Sequence, residues 1–157
     1  MDMEEISLLL EDCLRKVTNS RYYQTERGFQ GELVGLISQG LKDLFKSDLI
    51  SEQEHQKKEQ YHNLTIRPDI IIHEPFDETR HQSRKEGNAM AIELKLRANS
   101  TRAQQDFTSL DDIISNLAYD QGVFINIDSQ TTHANEYEGP YRDMDKVLRG
   151  ESSRWRS

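Results

Sequence analysis

The sequence predicts a single α/β domain in which a central mixed β-sheet is flanked by helices. Two amphipathic helical patterns open the chain, three short apolar segments typical of strands follow, and a further helical pattern separates the last two strands. The chain has 157 residues, enough to bury one substantial core. The predicted order is helix, helix, strand, strand, helix, strand, which is typical of an α/β domain.

Apolar residues recur at helical spacing in the first two elements. The first helix is predicted over about residues 4–18, and the polar stretch 18–27 is predicted to be a connection. The second helix, over about residues 28–44, contains several glycines, and each interior glycine costs about 1 kcal/mol relative to alanine. Glycines on a helix surface let a neighbouring element pack closely against it, and such packing would compensate for the cost. The apolar positions are Ile6, Leu9, Leu10, Cys13, Leu14 and Val17 in the first helix and Phe29, Leu33, Leu36, Ile37, Leu41 and Leu44 in the second.

The middle of the chain predicts two strands. Residues 51–62 are polar and charged, and they predict a helix extension or a loop. Leu64 to Ile72 is rich in β-branched residues and ends in three isoleucines, which predicts a strand buried on both faces. Residues 73–88 predict a connecting loop, and Ala89 to Leu96 predicts the next strand.

A third helix and a last strand complete the predicted domain, which spans residues 1–127. Ser109 and Asp112 form a helix start signal, and apolar residues follow at helical spacing up to Leu117. Val123 to Ile127 predicts the last strand. Residues 128–157 form a polar C-terminal extension, with at most a short helix near Asp143 to Leu148.

Composition and charge limit the classes of function. The net charge of −8 disfavours tight, unaided DNA binding, because the phosphate backbone rewards clustered Lys and Arg. No apolar run approaches the roughly 20 residues needed to cross a bilayer. The first five residues carry acidic side chains and no basic one, unlike a secretory signal, and the lone Cys13 has no disulfide partner. We therefore expect a soluble, cytoplasmic protein that does not associate with membranes.

Three charged residues interrupt the apolar strands. Glu93 and Lys95 lie two residues apart, so both point to the same face of their strand. Taken alone, this pair is better explained by a half-exposed edge strand with a surface Glu–Lys ion pair. Asp69, directly before the isoleucines of the other strand, favours a buried site, because an unpaired buried carboxylate is costly. Two carboxylates brought together in this way would favour a divalent cation such as Mg²⁺, with Mn²⁺ as a substitute.

These residues resemble a known motif. Arg67-Pro68-Asp69 followed by Glu93-Leu94-Lys95 resembles the PD-(D/E)xK motif of restriction-endonuclease-like nucleases. The resemblance implies a restriction-endonuclease-like core over about residues 28–127, with Glu32 on the preceding helix as a further acidic residue. The family's sheet usually has a strand before the one bearing the Asp, for which residues 51–63 are a poor candidate. The Gln-x-x-x-Tyr helix of some branches is also missing.

The resemblance also implies a mechanism and a substrate. Asp69, Glu93, the Leu94 carbonyl and Glu32 would ligate Mg²⁺, and Lys95 would orient a water or stabilise the transition state of phosphodiester hydrolysis. The implied substrate is a nucleic acid, with DNA favoured. The residues expected to contact it are Arg97 and Arg102 beyond the second motif strand and Arg80, Arg84 and Lys85 in the loop. The loop residues fit a solvated segment better than a phosphate contact, because acidic residues are interspersed among them.

Two alternatives remain open at this stage. The first keeps the fold without the activity: a catalytically inactive nuclease-like domain that binds nucleic acid or protein in a larger complex. The second is an interaction or immunity module in which Glu93 and Lys95 form an ordinary surface pair. A protein partner could supply the nucleic-acid affinity that the acidic charge lacks, and a homodimer is possible. Metal binding near Asp69 and Glu93 separates the second alternative from the nuclease readings.

Overall fold

The computed structural model describes residues 2–44, 48–53, 67–83, 85–141, 145–147 and 152–156. Three α-helices and six β-strands lie within these ranges, together with short 3-10 helices at Ser20–Tyr23 and Ala134–Glu136. The helices are α1 (Met3–Lys16), α2 (Glu26–Leu44) and α3 (Ser100–Leu117), and the strands are β1 (Ile50–Gln53), β2 (Ile70–His73), β3 (Asn88–Leu96), β4 (Gln121–Ile127), β5 (Asp145–Val147) and β6 (Ser152–Arg156). Within the same ranges, no helix is both long and apolar enough to cross a membrane.

The strands form one mixed sheet in the order β1-β2-β3-β4-β6-β5. Strands β1, β2 and β3 are antiparallel neighbours, and α3 then carries the chain over to β4, which runs parallel to β3. Helices α1 and α2 pack on one face of the sheet, and α3 packs on the other. The prediction of an α/β domain with a mixed sheet flanked by helices is therefore confirmed.

Strand β2 is buried on both faces, as its three isoleucines predicted. Ile70 and Ile72 belong to the apolar cluster formed with α1 and α2, whereas Ile71 packs against α3. The described strand begins at Ile70, and residues 64–66 of the predicted strand lie outside the described residues.

Two elements differ from the prediction in the central region. Residues 50–53 form strand β1, where a helix extension or loop was predicted; its pairing with β2 overrides its polar composition. Residues 54–62 of that prediction lie outside the described part. Helix α3 begins at Ser100, nine residues before the predicted start signal at Ser109. The Asn99 side chain caps it by accepting a hydrogen bond from the Arg102 N–H at 2.9 Å.

The C-terminal segment joins the sheet. The prediction of a short helix near residues 143–148 is wrong at 145–147, which form β5, and β6 pairs antiparallel with β4. Strand β6 was not predicted because its residues are polar. Ser152, Ser153 and Arg154 are nevertheless buried. Arg154 Nη1 also lies 3.1 Å from Glu11 Oε1 on α1. Residues 152–156 are thus part of the same folded unit as α1 and the central strands of the sheet.

Candidate active site

The alternation of side chains along β3 places the predicted residues on one face. Ile92 and Leu94 pack with α1 and α2, whereas Ala91 packs with α3. Because successive side chains point to opposite faces of a sheet, Glu93 and Lys95 project towards α3. Glu93 is only 6% exposed. The pair is therefore not the surface ion pair of an edge strand.

Asp69 lies beside Glu93 at the start of β2. The pairing of Ile70 with Ile92, extended by one residue, brings Asp69 opposite Glu93. Asp69 Oδ2 accepts a hydrogen bond from the Leu94 N–H at 2.7 Å, and the two carboxyl groups are hydrogen-bonded to each other. Two adjacent carboxyl groups repel each other when both are charged, so a cation or a proton between them would stabilise this arrangement.

A third acidic residue, Asp106 on α3, joins this site and was not identified from the sequence. Its carboxyl group is buried, with Oδ1 4.0 Å from Lys95 Nζ. Asp106 Oδ2 has no hydrogen-bond partner among the described residues. Asp106 occupies a position on the apolar stripe of α3, between Ala103 and Leu110. An acidic residue on such a stripe is a signal that the sequence does contain.

Burial raises the pKa values of all three carboxyl groups. Burial raises the pKa of Glu93 well above its ordinary value, and the charges of Asp69 and Asp106 raise it further. Burial likewise raises the pKa of Asp69, against the hydrogen bond from Leu94. The pKa of Asp106 is raised to about 6 by burial, although the nearby Lys95 ammonium lowers it. The site therefore holds more acidic groups than it has positive charge to balance them.

Helix α2 anchors the ends of both motif strands through two polar side chains. Glu26 Oε1 accepts a hydrogen bond from the Leu96 N–H at 3.1 Å, beyond Lys95. Gln30 Nε2 donates to the backbone carbonyl of Asp69 at 3.1 Å. The two residues lie one helical turn apart and so share a face of α2. Neither was predicted as a site residue, because each alone resembles an ordinary polar position on a helix.

The structure does not bring the predicted Glu32 to the Asp69–Glu93 pair. Residues two apart on a helix point about 200° away from each other, so Glu32 faces away from Gln30. Glu26, rather than Glu32, is the acidic residue of α2 whose charge acts on Asp69 and Asp106. A metal-ligand role for Glu32 therefore has no geometric support among the described contacts.

The predicted basic residues divide between the two ends of the sheet. Asp69 is at the start of β2 and the loop of residues 74–87 follows its end, so Arg80 and Lys85 lie at the opposite end from the carboxyl pair. Arg80 is paired there with Asp48 and with Glu74, the latter at 2.6 Å. This loop also borders a cavity of about 1090 Å³ that no carboxyl group of the site lines. Arg84 lies outside the described residues.

The other two predicted basic residues lie at the same end as the site. Arg97 follows β3 directly, and its Nη1 is 2.7 Å from Asp128 Oδ2. Arg102 is exposed in the first turn of α3, with Nη2 4.0 Å from Glu26 Oε1. A cavity of about 560 Å³ opens beside the end of β3 and is lined by Gln24, Thr25, Glu26, Arg27, Leu96 and Arg102.

The donor set of the site suits a hard divalent cation. Asp69 and Glu93 provide carboxyl oxygens of the kind that Mg²⁺ prefers as ligands. Among the described residues, no three His, Cys, Asp or Glu side chains are grouped so as to hold one ion. Mg²⁺ often takes only one or two carboxylates and completes its shell with water and substrate phosphates. The site therefore fits a cation held by Asp69 and Glu93.

Comparison of the chain with protein-family models, with curated proteins and with solved structures found no match.

Proposed function

We propose that the chain is a metal-dependent nuclease of the PD-(D/E)xK type that hydrolyses phosphodiester bonds, with DNA as the favoured substrate. The observation that carries the proposal is the convergence of Asp69, Glu93 and Lys95 on one partly buried face of the sheet. The order of elements from α2 to β4 supports it. That family usually has a strand before the one that bears the Asp, and β1 occupies this position here, although the sequence of this region is a poor match to a strand.

The residues that would hold Mg²⁺ are Asp69, Glu93 and the backbone carbonyl of Leu94. When bound, the ion would lower the pKa of a water molecule and screen the charge of the scissile phosphate. Both carboxyl groups must be deprotonated to bind the ion, because metal ligands of this kind act in their charged form. Gln30 supports this arrangement by fixing the backbone of Asp69 from the other side of the sheet.

Lys95 would place a positive charge next to the scissile phosphate. Its ammonium is partly buried on the same face as Glu93, so it can orient a water molecule or stabilise the negative charge that builds up on the phosphate. The nucleic acid would approach past Arg102 and the cavity beside it, at the same end of the sheet as the carboxyl pair. The net charge of −8 fits a partner protein or a second copy of the chain that adds nucleic-acid affinity.

The test combines metal binding with cleavage. Mn²⁺ is titrated calorimetrically into the wild type, an Asp69→Asn, Glu93→Gln double variant, and an Asp112→Asn control on the exposed side of α3. Duplex DNA, single-stranded DNA and RNA are then incubated with each protein and Mg²⁺, with Lys95→Met as a further variant. We expect wild type and control to bind Mn²⁺ and cleave one of the substrates, the double variant to do neither, and Lys95→Met to bind without cleaving.

The results also separate the alternatives. Mn²⁺ binding without cleavage of any substrate would favour the inactive nuclease-like domain. Native cleavage by Lys95→Met would overturn the assignment of Lys95. Mn²⁺ binding that survives in the double variant would place the cation elsewhere.

A further inference from the structure

Asp106 is a buried acidic residue that the motif does not account for. It lies in the second turn of α3 and is 7% exposed. The other buried residues of that helix are apolar. Buried polar atoms in folded proteins are almost always hydrogen-bonded, yet Asp106 Oδ2 has no such partner in the described part of the chain. An acidic residue in this state destabilises the fold, so its presence calls for a functional reason.

The surroundings of Asp106 identify its partner. Asp69 accepts a hydrogen bond from the Leu94 N–H, and Glu26 accepts one from the Leu96 N–H. Glu93 is hydrogen-bonded to Asp69. Asp106 is therefore the carboxyl group of the site that is left to balance Lys95, and its Oδ1 lies 4.0 Å from the lysine Nζ.

We propose that Asp106 is a positioning residue that holds the Lys95 ammonium beside the Asp69–Glu93 pair. The inference rests on the nuclease function proposed above and adds a residue to its machinery. Lysine carries its charge on a flexible four-carbon chain and loses considerable rotamer freedom when it is held in place. Asp106 has a short side chain on a helix that packs against β3, so it provides a fixed anchor. It restrains the ammonium in the position from which it acts on the phosphate or the water.

The first test measures Lys95 directly and needs neither metal nor nucleic acid. The wild type, Asp106→Asn and the control Asp112→Asn are treated with a limiting amount of an acetylating reagent in EDTA, and acetylation at Lys95 is quantified by peptide mass spectrometry. An ammonium that is no longer held against a buried carboxyl group moves more freely and meets the reagent more often, so it reacts faster. We expect Lys95 to react several-fold faster in Asp106→Asn than in the other two proteins. An unchanged or slower rate would overturn the proposal.

The second test is a double-mutant cycle on cleavage. We expect Asp106→Asn to lower kcat at least tenfold with little change in KM, and to have no further effect once Lys95→Met is present, because the two residues act through one group. The melting temperature of Asp106→Asn should equal or exceed that of the wild type, whereas a purely structural role would lower it.

The outcomes separate this proposal from the proposed function. An additional loss on adding Asp106→Asn to Lys95→Met would show that Asp106 acts independently of the lysine, and would overturn the proposal. If the wild type cleaves no nucleic acid, the nuclease function fails while the acetylation rates still decide whether Asp106 holds Lys95.

Discussion

Asp69 and Leu94 are joined by a hydrogen bond from the Leu94 N–H to Asp69 Oδ2, 2.7 Å long, at the point where β2 begins. A side chain of one half of the motif thus pairs with the backbone of the other half. A one-residue slip between β2 and β3 would break this bond and turn Glu93 to the opposite face. The geometry of the candidate site therefore depends on the register of these two strands.

Replacing Glu93 by Gln should stabilise the protein increasingly as the pH rises. A carboxyl group whose pKa is raised by folding binds its proton more tightly in the folded state, so stability is lost as the pH climbs from the ordinary pKa to the raised one. Glu93→Gln removes this loss. We expect its advantage in the free energy of unfolding to grow steadily as the pH rises above the ordinary pKa of a glutamic acid side chain. Urea denaturation in EDTA measures it, with the exposed Glu138→Gln as control. If the free energy of unfolding depended on pH in the same way for the wild type and for Glu93→Gln, the prediction would be contradicted.

Removing the Gln30 amide should weaken both the fold and cation binding. Gln30 Nε2 donates to the Asp69 carbonyl at 3.1 Å and to Gln53 Oε1 at 3.3 Å. Because the side chain is buried, Gln30→Ala should cost about 1–3 kcal/mol of unfolding free energy. It should also lower Mn²⁺ affinity, since Asp69 loses its anchor. The matched control is Gln39→Ala, whose exposed amide bonds only to Asp43 within the same helix among the described contacts. Equal effects of the two substitutions would argue against an anchoring role.

Basic residues at the two ends of the sheet should contribute unequally to nucleic-acid binding. Arg102 lies beside the cavity at the end of β3, whereas Lys85 lies in the loop at the opposite end. We expect Arg102→Ala to raise the dissociation constant for an oligonucleotide roughly tenfold at low salt and Lys85→Ala to leave it unchanged. Fluorescence anisotropy with Ca²⁺ in place of Mg²⁺ measures binding without cleavage. A larger effect at Lys85 would locate the nucleic acid on the loop instead.

Two glycines of α2 should respond unequally to alanine. A Cβ at Gly40 would overlap Leu9 Cδ1 in the buried contact between α1 and α2, whereas a Cβ at Gly35 would meet nothing within 4 Å. Gly35→Ala should stabilise the protein by about 0.5–1 kcal/mol through helix propensity, and Gly40→Ala should stabilise it less, because the Leu9 side chain has to shift to make room. Thermal denaturation of the two variants tests this, and equal or greater stabilisation by Gly40→Ala would contradict the prediction.

Hydrophobic periodicity predicted the elements with strong apolar patterns. Helices α1 and α2 and strands β3 and β4 lie within a few residues of their predicted positions. The N-terminal half of α3 was missed because its buried positions there are Ala103, Asp106 and Phe107, which give a weak apolar signal. Strands β1 and β6 were missed because pairing with a neighbouring strand, rather than apolar side chains, defines them.

The site was only partly predictable for a related reason. Asp69, Glu93 and Lys95 were identified because each is a charged residue in an apolar strand. Glu26 and Gln30 act on backbone groups of distant strands, and no local pattern reveals such a contact. Glu32 was chosen from the resemblance and from its place at the border of the apolar face of α2, whereas Glu26 is the acidic residue of α2 that reaches the end of β3.

The pairing of β6 with β4 also covers an edge of the sheet that could otherwise pair with other molecules. Without residues 152–156, the buried, almost wholly apolar β4 would become the last strand of the sheet, with its outer row of N–H and C=O groups open to solvent. Such an edge is a template for strands of other molecules. A shortened chain ending near residue 127 would therefore be prone to self-association, and the closing strand acts as a safeguard of solubility as much as a part of the fold.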